Sequence, residues 1–355
     1  MYFLIGLIAL LTLIGMVMVL SASAVQSIHV YKSPWYYFEH QLVWVAIGVI
    51  AFAAAFRTDY RFWRRFGAVS MIVAFVALVA VLIPGIGKTV SGSSRWLGVG
   101  PLQIQPSELT KLAFVYFSAD VLDRRLDGGR WRYRLGPTVI VLGLLIILLM
   151  KQPDMGTSLV IASIALGMLC AAGSPMRILG GMLGGGAVGA LALSVVSPYR
   201  WARMTSFLHP MHDASGTGYQ SVQALASMGQ GGLFGSGLGQ SVASYGYLPN
   251  QQTDFIFAVI AEETGLVGSL FVVALYALLA VVCIRISCRA PDRFGSLVAA
   301  GITAWLVAQA VINLGAVVGL LPVTGVPLPF VSYGGSSVVI LLFGVGILAN
   351  VAKKS

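Results

Sequence analysis

Apolar positions in this chain neither alternate nor keep to one helical face. They run on for several helical turns and stop at short polar clusters. A helix that is apolar on every side belongs in hydrocarbon or in a large core, and crossing a bilayer core of about 30 Å takes about 17 to 25 residues. The pattern predicts spans near Tyr2 to Leu20, Leu42 to Phe56, Gly67 to Ile83, Leu109 to Val121, Gly136 to Met150, Gly156 to Ala172, Ile178 to Val196, Phe255 to Ile284, Ser296 to Leu320 and Ser337 to Val351. The shorter ones need tilt, a kink or flanking residues to complete a crossing. Polar sequence concentrates in Pro84 to Ser107, after the third span, and in the much longer Ser197 to Thr253, after the seventh. The expected fold is an all-α integral membrane protein of about ten transmembrane helices. It forms one membrane domain over residues 1–355, with a large extracytoplasmic loop at about 197–253 between spans seven and eight.

Composition agrees: 58% of residues are hydrophobic and 10% charged, against about 25% charged in soluble domains. With ten spans and a cytoplasmic N-terminus, the inside loops hold 15 of the 22 basic residues, the sign that the positive-inside rule requires. Both termini are therefore expected in the cytoplasm, the chain in the cytoplasmic (inner) membrane. The net charge of +10 then reports topology. Clusters such as Arg61 to Arg65 suit anionic lipid, so no nucleic-acid partner is expected. The Ala22-Ser23-Ala24 sequence has the form of a cleavage site, but no basic region precedes the apolar run, which is too long for a signal peptide. Cys170, Cys283 and Cys288 give neither a disulfide framework nor zinc spacing.

Loops of such length without structure of their own are usually functional or disordered. The aromatic residues of the longer one, among them Trp201, Phe207, Tyr219, Tyr245 and Tyr247, favour interfacial or re-entrant helices. Its string GQGGLFGSGLG (Gly229 to Gly239) lacks the preceding strand of a nucleotide fold, though a turn offering backbone N–H groups to an anion stays open.

Ionisable groups in or beside spans are expensive and mark pathways or sites. The outer half collects Glu108 with Lys111, Lys151 with Asp154, Arg200 with Arg203, Asp254, and Glu262 with Glu263. Glu108 and Lys111, three apart, share a helix face and pair either for packing or for a site. Asp154 is a helix N-cap or a functional group. Arg200 and Arg203 suit phosphate at headgroup level or lipid anchoring. Asp254 stands where a polar loop turns into the apolar helix FIFAVIAEE, so helix dipole and desolvation oppose each other on its carboxyl. It is a candidate general base with N-capping as its alternative. Glu262, about 12 Å deeper along a helix, makes a transporter's proton path a competing reading.

Five segments carry a resemblance. SGSSRWLGVGPLQIQPSELTKLA (Ser91 to Ala113), YRWARMTSFLHP (Tyr199 to Pro210), GYQSVQALASMGQGGLFGSGLG (Gly218 to Gly239), LPNQQTDFIFAVIAEETG (Leu248 to Gly265) and GLLPVTGVPLPFVSYGGSS (Gly319 to Ser337) resemble, in order and spacing, the SEDS family of FtsW, RodA and SpoVE. LPFVSYGGSS and GMVMVLSAS look more like the FtsW and SpoVE branch. The resemblance implies a peptidoglycan glycosyltransferase that polymerises undecaprenyl-pyrophosphate-linked lipid II on the outer membrane face during cell division. The alternatives are a RodA-type elongation polymerase and a lipid II flippase. The partners implied are a class B penicillin-binding protein acting as transpeptidase and other divisome or elongasome membrane proteins.

Residue by residue, Asp254 falls on the family's essential aspartate, Glu108 and Lys111 on QPSE-x-x-K, Asp154 on PD-x-G and Arg95 on the RW motif. Many relatives have His where this chain has Gln252, which weakens any role for an imidazole there. The implied product is a β-1,4 glycan from an α-linked donor, so transfer inverts. Pyrophosphate leaves without protonation, so one base suffices where cations stabilise the departing charge. Arg95, Lys111, Arg200 and Arg203 are the expected pyrophosphate holders. A divalent cation, Mg or Mn, is the only cofactor with a place in this scheme, and no protein metal ligands are expected.

Overall fold

The computed structural model describes the chain apart from residues 91–92, 100–101, 126–130, 197–200, 202–206, 208–209, 214–215 and 217. Helices dominate: α1 (Tyr2–Tyr31), α2 (Tyr36–Arg57), α3 (Gly67–Leu82), α4 (Pro106–Arg125), α5 (Trp131–Lys151), α6 (Met155–Ala171), α7 (Met176–Val196), α8 (Tyr219–Gln230), α9 (Ile256–Cys288), α10 (Arg293–Val317) and α11 (Gly335–Lys354). Among the described residues, α1, α2, α3 with its preceding 3₁₀ turn, α9, α10 and α11 are long and apolar enough to cross a membrane, and α5 and α6 carry shorter apolar stretches. The polar stretch after α3 holds a small antiparallel meander, β1 (Lys88–Val90), β2 (Ser93–Val99) and β3 (Leu102–Ile104), which hydrophobic patterning did not predict. The longer polar stretch contains a short helix, α8.

Helix α1 runs well past the predicted Leu20 because the serines that break its apolar run face protein. Ser23 and Ser27 are buried, and Ser27 Oγ donates to Ser33 O at 2.6 Å. Central helix α4 tolerates a Glu and a Lys for the same reason. Lys111 Nζ lies 2.6 Å from Glu108 Oε1, donates to Gln309 Oε1 at 3.1 Å and sits 5.0 Å over the Trp305 ring. Ser337 Oγ donates to Glu108 Oε2 at 3.1 Å, so the pair ties α4 to α10 and α11 in a fully buried network.

Helix α9 is broken at Gly265, where the backbone leaves helical angles (φ 69°, ψ −165°). A break inside hydrocarbon leaves backbone groups that need partners. The glycine-rich loop supplies them: Ser236 N–H donates to Glu262 O at 2.9 Å and Gly237 N–H to Glu263 O at 3.0 Å. In return Leu266 N–H donates to Gly232 O at 2.9 Å and Val267 N–H to Leu233 O at 3.2 Å. These contacts need glycine, because a Cβ on Gly231 or Gly235 would overlap the carbonyls of Ala261 or Glu263. The N–H groups of Ser236 and Gly237 are thus committed to helix carbonyls, which removes them from the anion-binding role left open by the sequence.

The segment from Gly319 to Gly334 is a second irregular chain, carried into the bundle between α10 and α11. It packs so closely on α1 that a Cβ on Gly15 would lie 2.5 Å from Phe330 O. Buried side chains satisfy its backbone: Gln309 Nε2 donates to Pro327 O at 3.0 Å, Tyr276 Oη to Pro329 O at 2.5 Å, and Ser332 Oγ accepts from Leu328 N–H at 2.8 Å.

Contacts also sort the helix ends. At one end Arg61 pairs with Asp292, Arg64 with Asp120 and Asp123, and Lys354 with Asp59. At the other, α4, α6, α9 and α11 all begin around the Gly319–Gly334 segment, which is buried mainly from Thr324 to Ser332.

Gly235 and Gly239 both have positive φ (83° and 77°), and only Gly235 is crowded. A left-handed alanine costs about 1–2 kcal/mol at either site. In detergent, Gly235→Ala is therefore expected to lower the unfolding temperature clearly more than Gly239→Ala. Removing one partner of a buried ion pair costs about 3–5 kcal/mol, more than replacing both. Thermal unfolding should accordingly show Lys111→Met less stable than the double variant Glu108→Gln/Lys111→Met.

Candidate active site

Asp254 ends the long loop and is half-buried. It is not the N-cap of α9; that position belongs to Phe255, one residue on. Its backbone is placed by partners from elsewhere in the chain. Tyr333 N–H donates to Gln252 O at 2.8 Å, Ser332 Oγ to Thr253 O at 2.6 Å, and Asn313 Nδ2 to Asp254 O at 2.8 Å. Three consecutive carbonyls are thus pinned from α10 and the segment before α11. The same Asn313 Nδ2 donates to Val326 O at 2.7 Å, which fixes the Thr324–Val326 turn against Asp254.

Gly325, at φ 74°, floors the space beside the carboxylate. A Cβ there would stand 3.7 Å from Asp254 Oδ2 and 3.9 Å from Arg95 Nη1, so base and guanidinium border the same small volume. Arg95 reaches it from β2. Its Nη1 lies 3.7 Å from Asp154 Oδ1, Nε donates to Gln152 O at 3.4 Å, and Nη2 donates to Pro153 O. Asp154 is the N-cap of α6, with Oδ1 accepting from Thr157 N–H at 3.2 Å and Oδ2 from Thr157 Oγ1 at 2.9 Å. It caps its helix and anchors Arg95 at once, so the two readings of this residue are compatible.

The structure therefore brings Asp254, Arg95 and Asp154 together around Gly325. It places Glu108 and Lys111 in the buried network on α4, with Lys111 only 1% exposed. Arg200 and Arg203 lie outside the described residues. Four helix N-termini, those of α4, α6, α9 and α11, meet here through contacts such as Gln105 N–H to Ser336 Oγ at 3.1 Å and the packing of Gly156 under Thr324 and Val326. A helix N-terminus carries about half a positive charge; at α6 the Asp154 carboxylate answers it, and at α4 Glu108 stands in the first turn.

Both Asp154 oxygens are engaged, and among the described residues no group of three or more His, Cys, Asp or Glu side chains assembles. Glu262 is equally committed: it accepts from Ser241 Oγ and Val242 N–H, both at 2.6 Å, while Glu263 accepts from Ser21 Oγ at 2.5 Å. Beyond Gly265, as far as Ile284, α9 carries no carboxylate, so these acids do not continue across the bundle.

The residues that hold the site, Gln309, Asn313 and Ser332, escaped a search restricted to ionisable groups. Their signal was present: two amides four residues apart inside an apolar helix share one face.

Comparison with known proteins matches this architecture. The chain is 42% identical over 349 residues to the Bacillus subtilis (strain 168) stage V sporulation protein E, covering 98% of this chain and 95% of that protein. It is 43% identical over 353 residues to the Mycobacterium tuberculosis (strain ATCC 25618 / H37Rv) protein named probable peptidoglycan glycosyltransferase FtsW, covering 99% of this chain and 67% of that one. Among solved structures, it superposes on a chain of a peptidoglycan synthase complex that coordinates polymerization and crosslinking, with TM-score 0.82 and 27% identity, covering 100% and 98% of the two chains. The Thermus thermophilus rod shape determining protein RodA gives TM-score 0.74 at 27% identity, covering 100% and 97%. The family model described as cell cycle protein, FTSW_RODA_SPOVE, matches residues 1–355, and the chain belongs to that family.

Proposed function

We propose that this chain is a peptidoglycan glycosyltransferase that polymerises lipid II, with Asp254 as general base. The observation that carries the reading is the pairing of the Asp254 carboxylate and the Arg95 guanidinium around the space above Gly325. Asp254 takes the proton of the 4-hydroxyl of the incoming lipid II. That oxygen bonds to the anomeric carbon of the growing chain as the bond to the pyrophosphate breaks, and undecaprenyl pyrophosphate leaves with the electron pair. Inversion follows from attack opposite the leaving group. Arg95, oriented by Asp154 and two carbonyls, and the converging helix N-termini neutralise the departing charge. Arg200 and Arg203 are assigned to the same pyrophosphates. Glu108 and Lys111 act by holding α4 against the segments that carry the site, since neither head group is exposed.

Ten crossings, with both termini in the cytoplasm and the site on the outer face, complete the reading. It is supported by ten long helices besides α8 among the described residues and by basic residues gathered at the end away from the site. Relatives named FtsW and SpoVE at about 40% identity support a role in division or sporulation over elongation. The solved synthase complex supports a partner that crosslinks, here a class B penicillin-binding protein, among other divisome membrane proteins. Of the two acids in the first piece of α9, Glu262 is held by Ser241 and Val242, and Glu263 by Ser21 through one oxygen only.

In proteoliposomes supplied with lipid II, Asp254→Asn is expected to abolish glycan product while unfolding at the wild-type temperature. General-base catalysis contributes about 10²–10⁴ in rate, so activity within tenfold of wild type contradicts the assignment. Movement of labelled lipid II across the bilayer without glycan product would favour the flippase.

A further inference from the structure

At the end of the bundle away from Asp254, α9 finishes in the sequence Ile284-Arg285-Ile286-Ser287-Cys288-Arg289, which puts two arginines four residues apart on one side of the helix. Both are exposed, and among the described residues neither forms an ion pair. The described acids of that end are spent on other cations: Asp292 on Arg61, Asp120 on Arg64 and Arg124, Asp123 on Arg64, and Asp59 on Lys354. The sequence pointed to Arg61 to Arg65 as the group suited to anionic lipid, yet two of those three arginines are neutralised by carboxylates. Arg285 and Arg289 keep their charge uncompensated. Like charges at this spacing repel, and an anion shared between them relieves the repulsion.

Two further observations give that anion its form. On the same side of α9, the turns before the arginines expose Leu278, Val281 and Ile284, while Leu279, Cys283 and Ile286 on the opposite side are buried. The guanidinium pair therefore stands where an apolar helix face ends. The pair is also carried on a fixed turn. Ser287 Oγ donates to Ser296 O at 3.0 Å and Ser296 Oγ to Ser287 O at 2.9 Å, a reciprocal clasp between the end of α9 and the start of α10. Asp292 caps α10 by accepting from Gly295 N–H at 2.6 Å and accepts from Tyr60 Oη at 2.7 Å, which ties the turn to the segment between α2 and α3. A ligand with acyl chains and a phosphate matches both parts: the chains cover the apolar face, and the phosphate oxygens meet the forked N–H groups of the arginines.

We propose that Arg285 and Arg289 form a headgroup site for an anionic phospholipid whose chains lie along Leu278, Val281 and Ile284. A basic group beside a membrane helix is a recognised form of such a site. A soluble acidic segment would meet the charge and leave the apolar face uncovered. The site lies apart from the chemistry at Asp254 and does not depend on the polymerase reading.

The test is lipid binding to the full chain in an uncharged detergent, counted by native mass spectrometry with phosphatidylglycerol and with phosphatidylcholine of the same chains. Each arginine near an anionic lipid is worth about a five-fold gain in affinity, so Arg285→Gln/Arg289→Gln should bind phosphatidylglycerol about 30-fold more weakly and phosphatidylcholine unchanged. Arg285→Lys/Arg289→Lys, which keeps the charge and loses the fork, should fall between wild type and that variant. In the wild type, added salt should weaken phosphatidylglycerol binding, a readout that needs no variant to fold. Glycerol phosphate, which has the charge without the chains, should not displace the lipid at equal concentration. Unchanged phosphatidylglycerol affinity in the glutamine variant, equal loss for both lipids, a lysine variant as weak as the glutamine one, binding indifferent to salt, or displacement by glycerol phosphate would each overturn the site.

Discussion

A single buried amide, Asn313, donates to the carbonyls of Asp254 and Val326, and the rest of the site depends on that double contact. It joins the start of α9 to the loop between α10 and α11, so the base and the floor of its pocket move as one body. The interaction matters because of where it occurs. Irregular backbone at membrane depth has no water to satisfy it and persists only when protein groups take water's place. Gln309, Tyr276, Ser332 and Gln41 do the same for the rest of that loop.

Two irregular segments thus interrupt an otherwise helical protein, and each serves a different end. The glycine loop that fills the break at Gly265 stops α9 after a short first piece, which ends at Thr264 and begins beside Asp254. The Gly319–Gly334 segment lies under that piece and brings the starts of α4, α6 and α11 to the same place. The result is a positive field made from backbone dipoles, to which one well-held guanidinium is added. A field of this kind needs no reorganisation when charge develops on a leaving group. Of the two carboxylates, Asp254 borders the space above Gly325 and Asp154 is spent on holding the guanidinium.

Much of this was legible in the sequence. Unbroken apolar runs announced membrane helices, isolated charges beside them marked Asp254 and Asp154, and the family resemblance added Arg95. Ambiguities that were local in form were settled by partners remote in sequence. Capping was a reading open to both Asp254 and Asp154; the structure shows Asp154 capping α6, and Phe255 rather than Asp254 at the N-cap position of α9. Lys111 read as a phosphate ligand until its head group was found against Glu108, Gln309 and Trp305. Glu263 meets Ser21 across 242 residues, and Glu108 meets Ser337 across 229. The sequence by itself determined which segments enter the bilayer, because hydrocarbon selects on composition alone. Only the tertiary structure decided which buried polar groups face a substrate and which face one another, because that depends on hydrogen-bond geometry between segments that composition cannot relate.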